Sequence, residues 1–307
     1  MRIVFMGTPE FALPGLDILL QNGYPVVGVV TVPDKPSGRG RELTEPAVKR
    51  FARERNLPVL QPANLKDPAF LREMRELSPD LFVVVAFRIL PRELYTIPPR
   101  GAFNLHASLL PRYRGAAPIN WAIIRGEKET GVTTFFLEDS VDTGSVILQA
   151  RVPIGENETA GELHDRLMEI GAEIILHSVR LIERNAVVSR KQADGDATPA
   201  PKIFREDCRI DWTKPAREVH NFIRGLSPKP CAVTSHEGTE LKIYITRCAD
   251  ESAPGVAGSV LETAPAIRIQ CGRGAVDILE LQQSGRRRMP CGEFLRGYRL
   301  SIGTILR

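Results

Sequence analysis

A chain of 307 residues, 43% apolar and 25% charged, is long enough for two domains and has the composition of an ordinary globular protein. No run of eighteen uncharged apolar residues occurs, which excludes a membrane-spanning helix of the usual length. The formal net charge of +4 is unevenly placed, since residues 201–307 hold 17 Lys+Arg against 12 Asp+Glu and residues 1–200 hold 24 against 25.

The amino terminus reads directly into a buried strand at residues 3–6, with no apolar region and small-residue cleavage site of the kind a signal peptide needs. Gly7-Thr8-Pro9-Glu10 then turns into a helical pattern through Leu20, with Thr8 expected as N-cap and Pro9 at the first helical position. Gly23 ends that helix, and Val26 to Val32 is a second β-branched run. A strand–helix–strand opening of this length predicts a parallel sheet with covering helices. Pro33 to Pro46 follows as a long polar loop carrying Lys35, Arg39 and Arg41. Leu81 to Phe87 is apolar throughout, as a central parallel strand is. Ala102 to Leu105 is the next strand, and Thr133 to Leu137 and Ser145 to Val152 supply two more. Residues 158–186 read as one amphipathic helix with Leu163, Leu167, Ile170, Ile174, Ile175, Val179 and Ile182 on its buried stripe.

Gln192 to Pro201 is polar and rich in Ala, Pro, Asp and Gly, which marks a linker. The expected division is therefore a domain at 1–189, a linker at 190–206 and a second domain at 207–307. Beyond the linker a short helix near Ala216 to Ile223 precedes strand-like runs at Leu241–Thr246, Gly258–Glu262, Ile267–Cys271 and Ala275–Leu281. The basic turn Gly285-Arg286-Arg287-Arg288, a short helix at Gly292–Arg296 and a last run at Leu300–Leu306 complete the chain. This spacing predicts a small β-barrel of the OB kind, with a sandwich as the alternative. Its positive charge suits contact with a polyanion, and equally suits a solvated basic surface. The five cysteines are odd in number and form no CxxC pair, so zinc and a disulfide framework are both unsupported and a reducing, cytoplasmic setting is expected.

The richest stretch is Phe103-Asn104-Leu105-His106-Ala107-Ser108-Leu109-Leu110-Pro111, followed later by Asp142-Thr143-Gly144. Asn104 and His106 are two apart, so on a strand their side chains share a face. An amide, a titratable ring and a carboxylate able to orient it are the parts needed to move an acyl group between nucleophiles. Their place near a strand end is where open α/β sheets bind ligands. The first turn has neither G-x-G-x-x-G nor a Walker lysine, so a dinucleotide is not the expected ligand.

Residues 104–121, Asn-Leu-His-Ala-Ser-Leu-Leu-Pro-Arg-Tyr-Arg-Gly-Ala-Ala-Pro-Ile-Asn-Trp, resemble the signature of the formyltransferases that use 10-formyltetrahydrofolate. Glu129-Thr130-Gly131-Val132-Thr133 and Asp142-Thr143-Gly144 extend the resemblance. Gly7-Thr8-Pro9-Glu10-Phe11, the loop from Pro33 to Arg41 and Arg209-Ile210-Asp211-Trp212 are similar to the members whose acceptor is the initiator methionyl-tRNA. The resemblance runs the length of the chain. It implies a doubly wound, mostly parallel, Rossmann-like sheet followed by an OB-like tRNA-binding domain, with 10-formyltetrahydrofolate as co-substrate and no metal. Asn104, His106 and Asp142 are its implied catalytic trio, and Ser108, Leu109, Leu110 and Pro111 its implied folate contacts. Arg39, with Lys35 and Arg41, is implied in reading the acceptor stem, and Lys202, Arg286, Arg287 and Arg288 in phosphate contact. For Arg286–Arg288 a merely solvated face is the alternative. A cytoplasmic monomer without membrane attachment is expected. Phe87-Arg88 and Ser145 depart from the family pattern beside the expected folate site. An amino-sugar nucleotide formyltransferase would share the trio and the length without the Arg39-type loop, and a glycinamide ribonucleotide formyltransferase would be about one domain long. A non-catalytic OB-fold RNA binder would leave the trio idle.

Overall fold

The computed structural model of this chain describes residues 1–37, 42–249 and 255–307. Arg39 and Arg41 lie outside the described residues. Two compact units form, the first from Met1–Gly115, Gly131–Val152 and His164–Pro199, the second from Ala116–Thr130, Pro153–Leu163 and Ala200–Arg307.

The first unit is built on β1 (Ile3–Gly7), β2 (Val26–Val30), β5 (Val59–Leu60), β6 (Leu81–Val85), β7 (Ala102–His106), β9 (Glu129–Phe136) and β10 (Val146–Pro153), with β3 (Lys35–Ser37), β4 (Glu42–Thr44) and β8 (Arg114–Gly115) outside that sheet. The strand order is β10-β9-β7-β6-β1-β2-β5. From β5 to β7 every pairing is parallel, and β9 joins β7 antiparallel. β1 and β6 are buried along their whole length, as strands covered on both faces must be. The chain runs from β1 outward to β2 and β5, then returns to the other side of β1 at β6. That reversal makes the carboxyl ends of β1, β6 and β7 the place for a ligand crevice.

The covering helices are α1 (Leu13–Gln21), α2 (Ala47–Glu54), α3 (Pro68–Glu76), the short α4 (Arg92–Tyr95) and most of α6 (Ala160–Glu183). The expected Thr8 cap is not formed. A tight turn over Glu10–Ala12 comes first, closed by Ala12 N–H on Pro9 O at 3.1 Å, and α1 starts after it with Pro14 in its first turn. The Thr8 hydroxyl is left buried without a hydrogen bond. The long polar loop pairs its own flanks, Lys35 with Thr44 and Pro36 with Leu43, because a backbone ladder needs no apolar side chains and Leu43 stays exposed.

In the second unit β12 (Ala232–His236), β13 (Thr239–Ala249), β14 (Val260–Glu262), β15 (Ile267–Gln270) and β16 (Ala275–Gln283) form an antiparallel sheet in the order β12-β13-β16-β15-β14, with β17 (Met289–Pro290) added to β16; β11 (Pro199–Ala200) stands apart from this sheet. Register shifts around Ile245 bend β13, and the sheet curls as an OB-like half-barrel. α7 (Ala216–Leu226) supplies Val219, Ile223 and Leu226 to its core. The Arg-Ile-Asp-Trp stretch is part of that core: Ile210 and Trp212 are buried, and Trp212 Nε1 donates to Thr234 Oγ1 at 3.1 Å. α5 (Pro118–Ile124) belongs here too, with Asn120 Nδ2 donating to Gly225 O at 2.7 Å, and α8 (Cys291–Gly297) closes the unit. Two expectations are corrected. The Leu300–Leu306 run is not a strand, because a Ser301–Thr304 turn with Gly303 at φ +86° interrupts it and leaves one bridge, Ser259 to Ile305. The long helix begins at Ala160 rather than 158, because Thr159 and Glu162 form a reciprocal cap: Glu162 Oε2 accepts from Thr159 N at 2.8 Å and Thr159 Oγ1 accepts from Glu162 N at 3.3 Å.

Candidate active site

β7 delivers the first two site residues. Asn104 pairs with Val84 of β6 on one side and Phe135 of β9 on the other, and His106 pairs with Thr133. The His106 ring is buried, with Nε2 2.8 Å from the carbonyl oxygen of Tyr113. A carbonyl only accepts, so Nε2 carries the proton and, in the neutral ring, Nδ1 is the nitrogen with the lone pair. Tyr113 aims that carbonyl from a left-handed conformation, φ +62°, anchored by its own N–H on Thr198 Oγ1 at 2.9 Å. The Asn104 carboxamide is half-buried and has no partner among the described residues.

Asp142 comes from the turn between β9 and β10. Its Oδ2 accepts the Gly115 N–H at 2.9 Å and lies 3.8 Å from His106 Nδ1. That separation is too long for a direct hydrogen bond, so the Tyr113 carbonyl holds the ring through Nε2 and Asp142 stands as its ion-pair partner whenever Nδ1 is protonated. The Asp-Thr-Gly pattern has a steric cause: a Cβ on residue 144 would sit 1.7 Å from Phe136 O, so only glycine lets the turn close. Ser145, one of the departures, directs its N–H and hydroxyl at Glu138 Oε1, 3.2 and 3.4 Å away.

The Ser108–Pro111 loop is held by a buried hydroxyl. Thr133 Oγ1 donates to Ser108 O at 2.6 Å and accepts from Leu110 N at 3.2 Å and from Gln149 Nε2 at 3.0 Å. Gln149 Nε2 also reaches Leu110 O at 2.8 Å, and the Leu110–Pro111 peptide is cis. Ser108 gives its hydroxyl to Arg112 O at 2.6 Å and Leu110 is buried, so of the four expected folate contacts only Leu109 and Pro111 keep part-exposed side chains. Gly131 fits because a Cβ there would meet Ala150 O at 2.0 Å and Leu109 Cδ2 at 2.6 Å. Nothing in the sequence singles out Gln149, whereas Thr133 falls in a stretch already marked by its pattern. In the loop after β6, Arg88 donates to Ala63 O and Pro62 O at 3.0 and 2.7 Å, its pKa lowered by burial, and Ile89 is 74% exposed.

The basic residues fall in several places. Lys35 is exposed on β3, and Lys202 is exposed with Nζ 5.2 Å from the ring centre of Phe204. Arg287 pairs with Glu293, and Arg288 pairs with Glu280 while lying 4.4 Å over the Tyr244 ring. Of the three consecutive arginines, Arg286 is the one whose exposed side chain is not spoken for by an ion pair. Among the described residues no group of three His, Cys, Asp or Glu side chains is placed to hold a metal ion, and no helix is long and apolar enough to cross a membrane.

An unengaged amide, a ring with one committed nitrogen and one open nitrogen, and a nearby carboxylate can together bind a developing oxyanion and accept a proton. The formyl transferase family model matches residues 1–179, and the model of the formyl transferase C-terminal domain matches residues 202–299. The chain is 49% identical to a methionyl-tRNA formyltransferase of Porphyromonas gingivalis, covering 98% of this chain and 97% of that protein. It is 46% identical to a methionyl-tRNA formyltransferase of Caldanaerobacter subterraneus over 100% of each. A solved N-formyltransferase from Helicobacter canadensis, in complex with folinic acid and dTDP-3-aminofucose, covers 91% of this chain and 98% of its own with a TM-score of 0.70. At 23% identity that likeness establishes the shared fold.

Proposed function

This chain belongs to the formyl transferase family, among its methionyl-tRNA formyltransferases, and on that premise we propose that it moves the formyl group of 10-formyltetrahydrofolate onto the amino group of initiator methionyl-tRNA. The observation that carries this reading is identity of nearly half the residues to methionyl-tRNA formyltransferases along the full chain. The residues present fit the folate co-substrate: β7 carries an unpartnered carboxamide at Asn104, and the segments that follow β6 and β7 carry part-exposed Phe87 and Leu109 and exposed Ile89. A flat heteroaromatic ring needs such an apolar wall with a few polar groups.

The donor supplies an activated formyl carbon bonded to nitrogen. The α-amine of the methionyl ester, with a reference pKa of about 8, is a fair nucleophile near neutrality. As its bond to carbon forms, the Asn104 N–H and the Nδ1–H of charged His106 stabilise the oxyanion. The carbon–nitrogen bond of the donor then breaks: the donor nitrogen takes the Nδ1 proton of His106, the attacking amine gives its proton to Asp142, and Asp142 returns that proton to Nδ1, so the enzyme ends as it began. Asp142 is the carboxylate placed to accept the amine proton and to balance the charge on His106. Residues 207–307 act as the tRNA-binding domain, with Lys202 and Arg286 contributing sequence-independent phosphate contacts, and the enzyme works as a cytoplasmic monomer.

Offering the protein 10-formyltetrahydrofolate with initiator methionyl-tRNA, an amino-sugar nucleotide or glycinamide ribonucleotide tests the assignment. Formylation of the tRNA alone is expected; formylation of the sugar in its place would overturn it. Acceptor choice is assigned to Arg39, with Lys35 and Arg41 beside it. Arg39→Leu is expected to cripple formylation of the initiator tRNA and leave folate affinity unchanged, and Arg39→Lys to rescue poorly, because an ammonium lacks the planar fork of guanidinium. Single-turnover rates and a separate folate titration check this, and parent-rate formylation by Arg39→Leu would remove the loop from recognition.

A further inference from the structure

Gln192 lies in the stretch that composition marks as a linker, yet only 7% of its surface is exposed. Its carboxamide makes four hydrogen bonds. Nε2 donates to Asp142 O and Gly144 O, both at 2.8 Å, and Oε1 accepts from Arg114 Nε at 3.1 Å and Arg114 Nη2 at 2.8 Å. The orientation is unambiguous, because carbonyls only accept and a guanidinium only donates. Two residues earlier, Arg190 and Val146 exchange backbone hydrogen bonds of 2.8 and 2.9 Å, which lays this segment against the first residue of β10. Arg114 is held further by Asp194 at 2.9 Å.

These contacts close a circuit around the catalytic groups. Arg114 grips Gln192, which grips the backbone of Asp142; the next residue, Gly115, gives its N–H to the Asp142 carboxylate; the preceding one, Tyr113, fixes Nε2 of His106. Asp142 is left-handed at φ +56°, a turn conformation that Asp adopts more readily than most residues with a side chain. The two carbonyls flanking Thr143 are the ones Gln192 captures. We propose that Gln192 is a positioning residue for formyl transfer, holding the Asp142 turn so that its carboxylate faces His106 Nδ1. This rests on Asp142 acting in the reaction, as assigned above.

Gln192→Glu keeps the size and the acceptor for Arg114 but cannot donate to the two carbonyls, so the turn loses its hold while its neighbours remain. Single-turnover formylation is expected to slow on the order of tenfold to a hundredfold, the cost of a small misplacement of a reacting group. The KM values for folate and tRNA stay within about twofold, since no substrate contact is removed. The deciding measurement is the cycle with Asp142→Ala: a residue that acts through Asp142 costs nothing further once the carboxylate is gone. Gln192→Ala provides the same cycle should the Glu variant fail to fold, which thermal unfolding reports. An undiminished penalty in the Asp142→Ala background, or a parent rate in both Gln192 variants, would overturn the proposal. Parent-rate turnover by Asp142→Ala itself would instead remove that carboxylate from the mechanism, a separate failure seen in a separate protein.

Discussion

His106→Ala is expected to lower the rate of formyl transfer on the order of a hundredfold or more while folate and tRNA affinities hold, the typical cost of removing one oxyanion stabiliser. Geometry decides which atom matters. Nε2 is spent on the Tyr113 carbonyl at 2.8 Å, so the transferable proton sits at Nδ1, the nitrogen that Asp142 faces at 3.8 Å. His106→Gln makes the sharper comparison, because a carboxamide can still donate one hydrogen bond but cannot exchange a proton. It is expected to recover part of the oxyanion term and none of the proton transfer. Single-turnover rates across pH separate the two. The parent rate in either variant would take the ring out of the mechanism.

The second large effect is on stability in acid. His220 on α7 is 1% exposed, accepts from Thr246 Oγ1 through Nδ1 at 2.9 Å and points Nε2 at Glu156 O, 3.4 Å away. Burial first, then the neighbouring Arg224 and Arg217 cations, lower its pKa from 6.5 to about 4, against a smaller opposing pull from Glu156. The folded state therefore refuses a proton that the unfolded chain takes up below 6.5. Folding stability is fully present above that pH and is lost as pH falls towards 4, by about 3 kcal/mol once the ring is forced to charge. Unfolding midpoints of the parent and of His220→Gln, measured from pH 7 to 4, isolate the contribution. The parent is expected to lose stability faster than the variant across this window, and parallel curves would show that His220 is not the titrating group.

The same region shows where sequence reasoning stops. Arg224 is buried as well, donating to Gly155 O and Glu158 O at 3.1 and 2.9 Å and to Asn221 Oδ1 at 2.9 Å. Those bonds explain why residues 153–163 group with the carboxyl-terminal unit although they lie in the midst of the catalytic stretch. No periodicity announces this, because a cation that satisfies backbone carbonyls distant in sequence leaves no local pattern.

What the sequence determined by itself was whatever local chemistry encodes. Unbroken apolar runs gave β1 and β6, because strands covered on both faces tolerate nothing else. The two-residue spacing put Asn104 and His106 on one strand, and the whole motif pattern led to the family. The tertiary structure decided the rest. It set the side on which β6 returns, the antiparallel entry of β9, the hold of Thr133 on Ser108 and Leu110, and the hold of Gln192 on the Asp142 turn. Each of these depends on hydrogen bonds between residues tens of positions apart, or on a steric limit such as the 1.7 Å approach at Gly144, and such terms exist only once the chain has folded back on itself.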